Sequence, residues 1–95
     1  MFVVLLKSSS QRDQAAHLMA AHNEWLRHGF KDGVFLLAGS IQPAAGGAIL
    51  AHDVSFADLQ QRVDADPFVA EGVVKAEIIA ISPAKADLRL SFPLG

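Results

Sequence analysis

The sequence predicts an α+β fold of order β-α-β-β-α-β, in which a four-stranded antiparallel sheet carries both helices on one face. Three observations predict it. Four short runs rich in Val, Ile, Leu and Phe alternate with two stretches whose apolar residues recur at helical spacing. Each helical stretch is preceded by a serine standing three residues ahead of an aspartate, the spacing of a capping box. Finally, 52% of the 95 residues are apolar, more than a small sheet covered on one side can use.

The elements follow in order. Phe2 to Leu6 is a compact bulky run that suits a strand. Ser10 and Asp13 then open a helix on which Leu18, His22, Leu26 and Gly29 form one stripe, with Ala15, Trp25 and Phe30 beside it. Lys31-Asp32-Gly33 stops it. Val34 to Ser40 is a second strand, Gln42 to Gly47 a loop, and Ala48 to His52 a third strand. Ser55 and Asp58 cap a second helix from Phe56 to Val63, with Val54 and Leu59 placed as a hydrophobic staple. Pro67 ends it, because the residue before a proline avoids the helical region. After a loop through Gly72, Val73 to Ile81 is the fourth strand; the patch Leu88 to Phe92 is expected to add a short edge strand or to pack on a partner. The whole chain, residues 1–95, reads as one domain.

This order is the ferredoxin-like arrangement. A sheet covered on one face should alternate apolar and polar residues, yet "VFLLA", "AIL" and "EIIAI" do not. Both faces therefore call for cover, and only two helices are available. A monomer would expose a large apolar patch, so a homodimer through the sheet face is expected.

Composition removes several functions. A net charge of -2 without like-charge blocks leaves no footprint for nucleic acid or an anionic membrane. The absence of cysteine excludes thiolate catalysis and cysteine-based metal sites. The opening "MFVVLLKSSS" has neither the basic start nor the apolar length of a signal peptide, so the default expectation is a cytoplasmic protein. Gly46-Gly47 is too short for a phosphate-binding loop, and His17 and His22 face different ways, so neither a cofactor nor a metal is expected.

Among the four histidines, His17 and His28 point away from the apolar stripe, and His52 ends a strand. His22 lies on the stripe, between Leu18 and Leu26. An imidazole there is either a hydrogen-bonded core residue or a general acid/base in an apolar pocket. Asp64 and Asp66, in "VDADPFVAEG", fall at the end of the second helix, where the dipole disfavours a carboxylate. Asp66 before Pro67 suits a plain turn. Side-by-side helices would also let Asp66 reach His22 and fix its tautomer and orientation. Ser40, after Gly39, closes the second strand where a ligand could approach.

These residues resemble the YCII-related (YciI-like, DGPF-related) family. The matching segments are "VVLLKSS", His22 on the first helix, "KDGVFLLAGS", and above all "AHDVSFADLQQRVDADPFVAEGVVKAEI", with its Asp-Pro-Phe and Ala-Glu-Gly. The resemblance covers nearly the whole chain. It implies a dimeric α+β barrel of ferredoxin-like halves and a cleft with a His–Asp pair, landing on His22 and Asp66. It is a family in which one relative dechlorinates a chlorinated hydroxyhydroquinone, and muconolactone isomerase is a related barrel. Ser40 stands where many members carry proline. The expected function is cofactor-free proton transfer on a small cyclic or aromatic compound, by isomerisation, lactone chemistry or elimination, with Ser40, Trp25 and Phe68 as substrate contacts. The alternative is a non-catalytic module that binds a metabolite or a protein.

Overall fold

A computed structural model describes residues 1–9, 12–43 and 45–90. Strand β1 (Phe2–Ser8) leads through a 3-10 turn (Arg12–Gln14) into helix α1 (Ala15–Lys31). Strands β2 (Phe35–Ser40) and β3 (Gly46–Ala51) follow, then helices α2 (Phe56–Asp64) and α3 (Pro67–Ala70), strand β4 (Val74–Ala80) and a last 3-10 turn (Leu88–Leu90). The strands run in the order β2-β3-β1-β4, and every neighbouring pair is antiparallel. This is the ferredoxin-like α+β topology that the order of apolar runs predicts.

Strand β1 is central and alternates with period two. Phe2, Val4 and Leu6 are buried toward the helices, and Val3 and Leu5 face the other way. The inward residues meet Ile49 and Ala51 of β3, Val74 of β4, and Leu59, Val63 and Phe68 of the helices. Full burial of Leu59 and Val63 stabilises by about 1.5–3 kcal/mol each. Helix α2 is held in register by its cap, since the Ser55 hydroxyl accepts the Asp58 N–H at 3.1 Å.

Helix α1 stops at Asp32, with Gly33 at φ +76° in the left-handed region, as the Lys-Asp-Gly signal requires. A mid-helix glycine costs roughly 1 kcal/mol of propensity relative to alanine, and here packing demands it. A Cβ on Gly29 would lie 2.1 Å from the Phe35 ring. The start of α1 differs from expectation. The helix begins at Ala15 after the 3-10 turn, and Gln14 at its N-cap makes no side-chain cap bond. Ser10, the expected capping residue, lies outside the described residues.

Further departures follow. The first is a bulge in β2: Phe35 opposes Ala51 and Leu37 opposes Leu50, so Leu36 is an extra residue. Part of the lost alternation in "VFLLA" is therefore this bulge and not burial on both faces. The second is the segment after α2. Pro67 does not simply end a helix before a loop; it starts α3, with Asp66 as N-cap. A fixed φ and a missing N–H suit proline to the first helical turn. The tail forms a 3-10 turn rather than a strand, with Leu88 exposed. Ser91 and Phe92 lie outside the described residues.

The face of the sheet away from the helices carries a row that crosses all four strands. Leu37 opposes Leu50, Leu50 opposes Val3, and Val3 opposes Ile79. At the usual strand spacing this apolar stripe is about 14 Å long. Leu37 is 55% exposed and Ile79 40%.

Candidate functional site

His22 sits midway along α1 on the side that faces α3. Its Nδ1 lies 2.7 Å from Asp66 Oδ1. The histidine side chain is 11% exposed and the aspartate side chain 0%. The same Oδ1 accepts the Phe68 N–H at 3.1 Å, which is the capping bond of α3. One atom thus does two things: it starts a helical turn and it holds an imidazole. A carboxylate at the end of α2 would oppose that helix's dipole. By passing into a new helical turn the chain turns the same residue into a favourable N-cap. The Asp-Pro pair, an N-cap type followed by an N1 type, is the local signal for this.

A carboxylate only accepts, so Nδ1 carries the hydrogen and Nε2 keeps the lone pair in the neutral ring. Asp66 Oδ2 is buried without a hydrogen-bond partner among the described residues. Such an oxygen is costly. Among the described residues the Asp66 carboxylate is stabilised through Oδ1, by the Phe68 amide and the imidazole.

Aromatic rings hold the imidazole plane. Phe68 stacks on it at 4.1 Å between centroids and 10° between planes, and Trp25 lies at 5.7 Å and 28°. Trp25 is itself pinned, donating its indole N–H to the Arg62 carbonyl at 2.8 Å and meeting Phe35 edge-on. Offset ring pairs of this kind contribute about 0.5–1.5 kcal/mol beyond their burial.

His22 borders a cleft of about 490 Å³ between α1 and the sheet. Phe68 and Ser40 line it too, whereas Trp25 sits behind the imidazole and outside the lining. Ser40 owes its direction to the bulge: it opposes Gly47, on the same face as Ile49, and an unbulged strand would turn it outward. Small residues make the room. Ala38, Gly39, Gly46 and Gly47 lie on the sheet side, and Gly46, at φ +118°, comes so close to β1 that a Cβ would lie 2.0 Å from the Leu6 carbonyl oxygen.

Lining residues that were not singled out from the sequence include Ser8, Met19 and Asn23. Their signals are present. Ser8 shares the inward parity of Phe2, Val4 and Leu6, and Met19, His22, Asn23 and Leu26 follow i, i+3, i+4, i+7 spacing along α1. The remaining histidines lie elsewhere. His17 and His28 are exposed, and His28 pairs with Glu24 at 3.2 Å. His52 follows β3, with its backbone N–H on the Val34 carbonyl. Among the described residues no group of three His, Asp or Glu side chains could hold a metal, and no helix is long and apolar enough to cross a membrane.

Comparison with solved structures gives the 5-chloro-2-hydroxyhydroquinone dehydrochlorinase of Burkholderia phenoliruptrix AC1100, in complex with 2,5-dihydroxybenzoquinone, as similar in fold. The TM-score is 0.71 at 15% identity, over 85% of this chain and 92% of that one. No curated protein matches in sequence. The family model of the YCII-related domain matches residues 1–82, and with that span the chain belongs to the YCII-related family.

Proposed function

We propose that this chain is a small enzyme in which His22 acts as general acid/base, oriented by Asp66, on a small cyclic or aromatic compound bound in the cleft. The observation that carries this reading is the 2.7 Å bond between a fully buried carboxylate and the Nδ1 of an imidazole that lines the cleft. It leaves Nε2 as the proton acceptor. In the reaction Nε2 removes a proton from a carbon activated by a neighbouring carbonyl or hydroxyl, and the imidazolium is stabilised by Asp66. In an isomerisation the proton returns to a different carbon. In an elimination the C–H electron pair forms the new double bond as the leaving group departs with its own pair, and the proton leaves through His22. The fold neighbour is named as a dehydrochlorinase, and elimination is accordingly one of the reactions this site would suit. Ser40 binds a polar group of the substrate, and Phe68 packs on both imidazole and ligand. The expected location is the cytoplasm.

The test reads proton transfer itself. Cyclic enones, lactones and hydroxyquinones are incubated with the protein in D2O, and deuterium incorporation is followed by NMR. The protein is expected to accelerate exchange into at least one class, and His22→Gln to lose about 10²–10⁴-fold of that rate while remaining folded. Undiminished exchange in His22→Gln would remove His22 from the chemistry.

The same reading includes a homodimer closed through the outer sheet face, supported by the Leu37-Leu50-Val3-Ile79 row. Leu37→Glu is expected to turn a dimer into a monomer in sedimentation. A wild-type protein that sediments as a monomer at micromolar concentration overturns this part.

A further inference from the structure

We infer that the cleft takes an uncharged ring compound and discriminates against one that bears a carboxylate or phosphate. This rests on the reading that the cleft beside His22 is the working site. Three observations point to it. First, His22 is the one titratable side chain among the described residues that line the cleft; no lysine or arginine is among them. The nearby described cation on β1 is engaged elsewhere, since Lys7 pairs with Glu77 at 3.3 Å on the opposite side of the sheet from Leu6. Arg62 pairs with Asp32 at 2.8 Å, outside the lining.

Second, among the described lining residues the polar side chains besides His22 are those of Ser8, Ser40 and Asn23. Each can donate and accept, which matches a hydroxyl, a carbonyl or an amide equally well. None supplies the full positive charge that would compensate a desolvated anion, and burying such an ion without a partner is costly. The other described lining residues are glycine, aliphatic or aromatic, and about 490 Å³ is at the small end of ligand sites, the size for one or two rings.

Third, the group behind His22 is the buried Asp66, whose second oxygen has no hydrogen-bond partner among the described residues. An anion entering the cleft would add a second negative charge to one that is already poorly solvated. When His22 takes a proton, its charge is shared with Asp66 at 2.7 Å and is not free to bind an anion.

The test uses near-isosteric pairs that differ only in charge: 4-hydroxybenzamide against 4-hydroxybenzoate, and phenylacetamide against phenylacetate, at neutral pH. Affinities are measured by calorimetry on the full chain, with saturation-transfer NMR to place the ligand against Phe68 and Met19. The amide of at least one pair is expected to bind at least about tenfold tighter than its carboxylate. Equal or tighter binding of the carboxylates overturns the inference, as does no binding of any of the four at about 10 mM. Ser40→Lys is the second arm. It puts a cation into the lining at an exposed strand end and is expected to move the ratio toward the carboxylate by about tenfold or more. An unchanged ratio there also counts against the inference. Binding is read without turnover, so amide preference in a protein that catalyses no exchange would sink the catalytic reading and leave this one standing.

Discussion

Helix α1 carries two imidazole–carboxylate pairs, and they are chemically alike but physically opposite. His28 and Glu24 lie 3.2 Å apart at i,i+4 on the exposed face, each more than half exposed. His22 and Asp66 lie 2.7 Å apart across 44 residues of sequence, with the carboxylate wholly buried. The exposed pair needs nothing but the helical repeat. It exchanges freely with water, and helix pairs of this kind contribute little. The buried pair needs the sheet to set α1 against α3, a cap to fix Asp66, and two rings to fix the imidazole. The difference teaches that a histidine's role is set by how many independent elements restrict it.

The largest expected effect comes from breaking the buried pair at its carboxylate. Asp66→Ala removes the α3 cap and leaves a near-buried imidazole N–H without its acceptor. A loss of about 2–4 kcal/mol in urea unfolding at fixed protein concentration is expected. Asp66→Asn keeps an oxygen for the Phe68 amide and should lose only about 1 kcal/mol, while proton-exchange activity falls with it. If the two variants proved equally stable, the capping bond would contribute nothing and the dual role of Oδ1 would be wrong.

Next in size is Trp25→Leu, which makes His22 more like His28 without touching its hydrogen bond. Losing the stack, the edge contact with Phe35 and the bond to the Arg62 carbonyl should cost roughly 1–3 kcal/mol. The sharper readout is the downfield Nδ1 proton of His22 in the NMR spectrum. It is expected to be sharp in the wild type and exchange-broadened in the variant. A sharp resonance in both would mean that Asp66 and Phe68 alone hold the ring.

Much of this was legible in the sequence, and the gaps have reasons. The bulky run from Phe2 to Leu6, the Ser55 cap and the Lys31-Asp32-Gly33 stop are local signals, and local signals survive in a one-dimensional reading. So did the juxtaposition of His22 and Asp66, because the β-α-β-β-α-β order sets the two helical units side by side. The Leu36 bulge was not legible. A missing alternation reads alike whether a strand is covered on both faces or carries one extra residue, and only pairing to β3 separates the two. Trp25 shows the same limit. Its spacing places it near His22, but whether it meets a ligand or braces the imidazole from behind depends on the bond to Arg62, a contact made across 37 residues. Ser8 and Asn23 became cleft residues only once the sheet and helix faces could be laid against each other.

The smallest expected effect belongs to the exposed pair, and its sign is fixed by the neighbouring arginine. Arg27 donates its Nε–H to Glu24 at 3.0 Å, and this bond, with smaller help from His28, holds the Glu24 carboxyl below its ordinary value. A depressed folded-state value means that the stabilisation is present above the unfolded carboxyl's titration range and is lost as pH falls through the lower, folded one. Wild type and Glu24→Gln should therefore differ most near neutral pH and converge in acid, with the wild type marginally more stable at low salt. Because the Glu24 side chain is more than half exposed, salt near about 0.15 M should erase most of the difference. Proton-exchange activity should not move at all. A Glu24→Gln variant that lost activity would place the two pairs in one network along α1, and the contrast between a buried, over-determined imidazole and a solvated one would have to be abandoned.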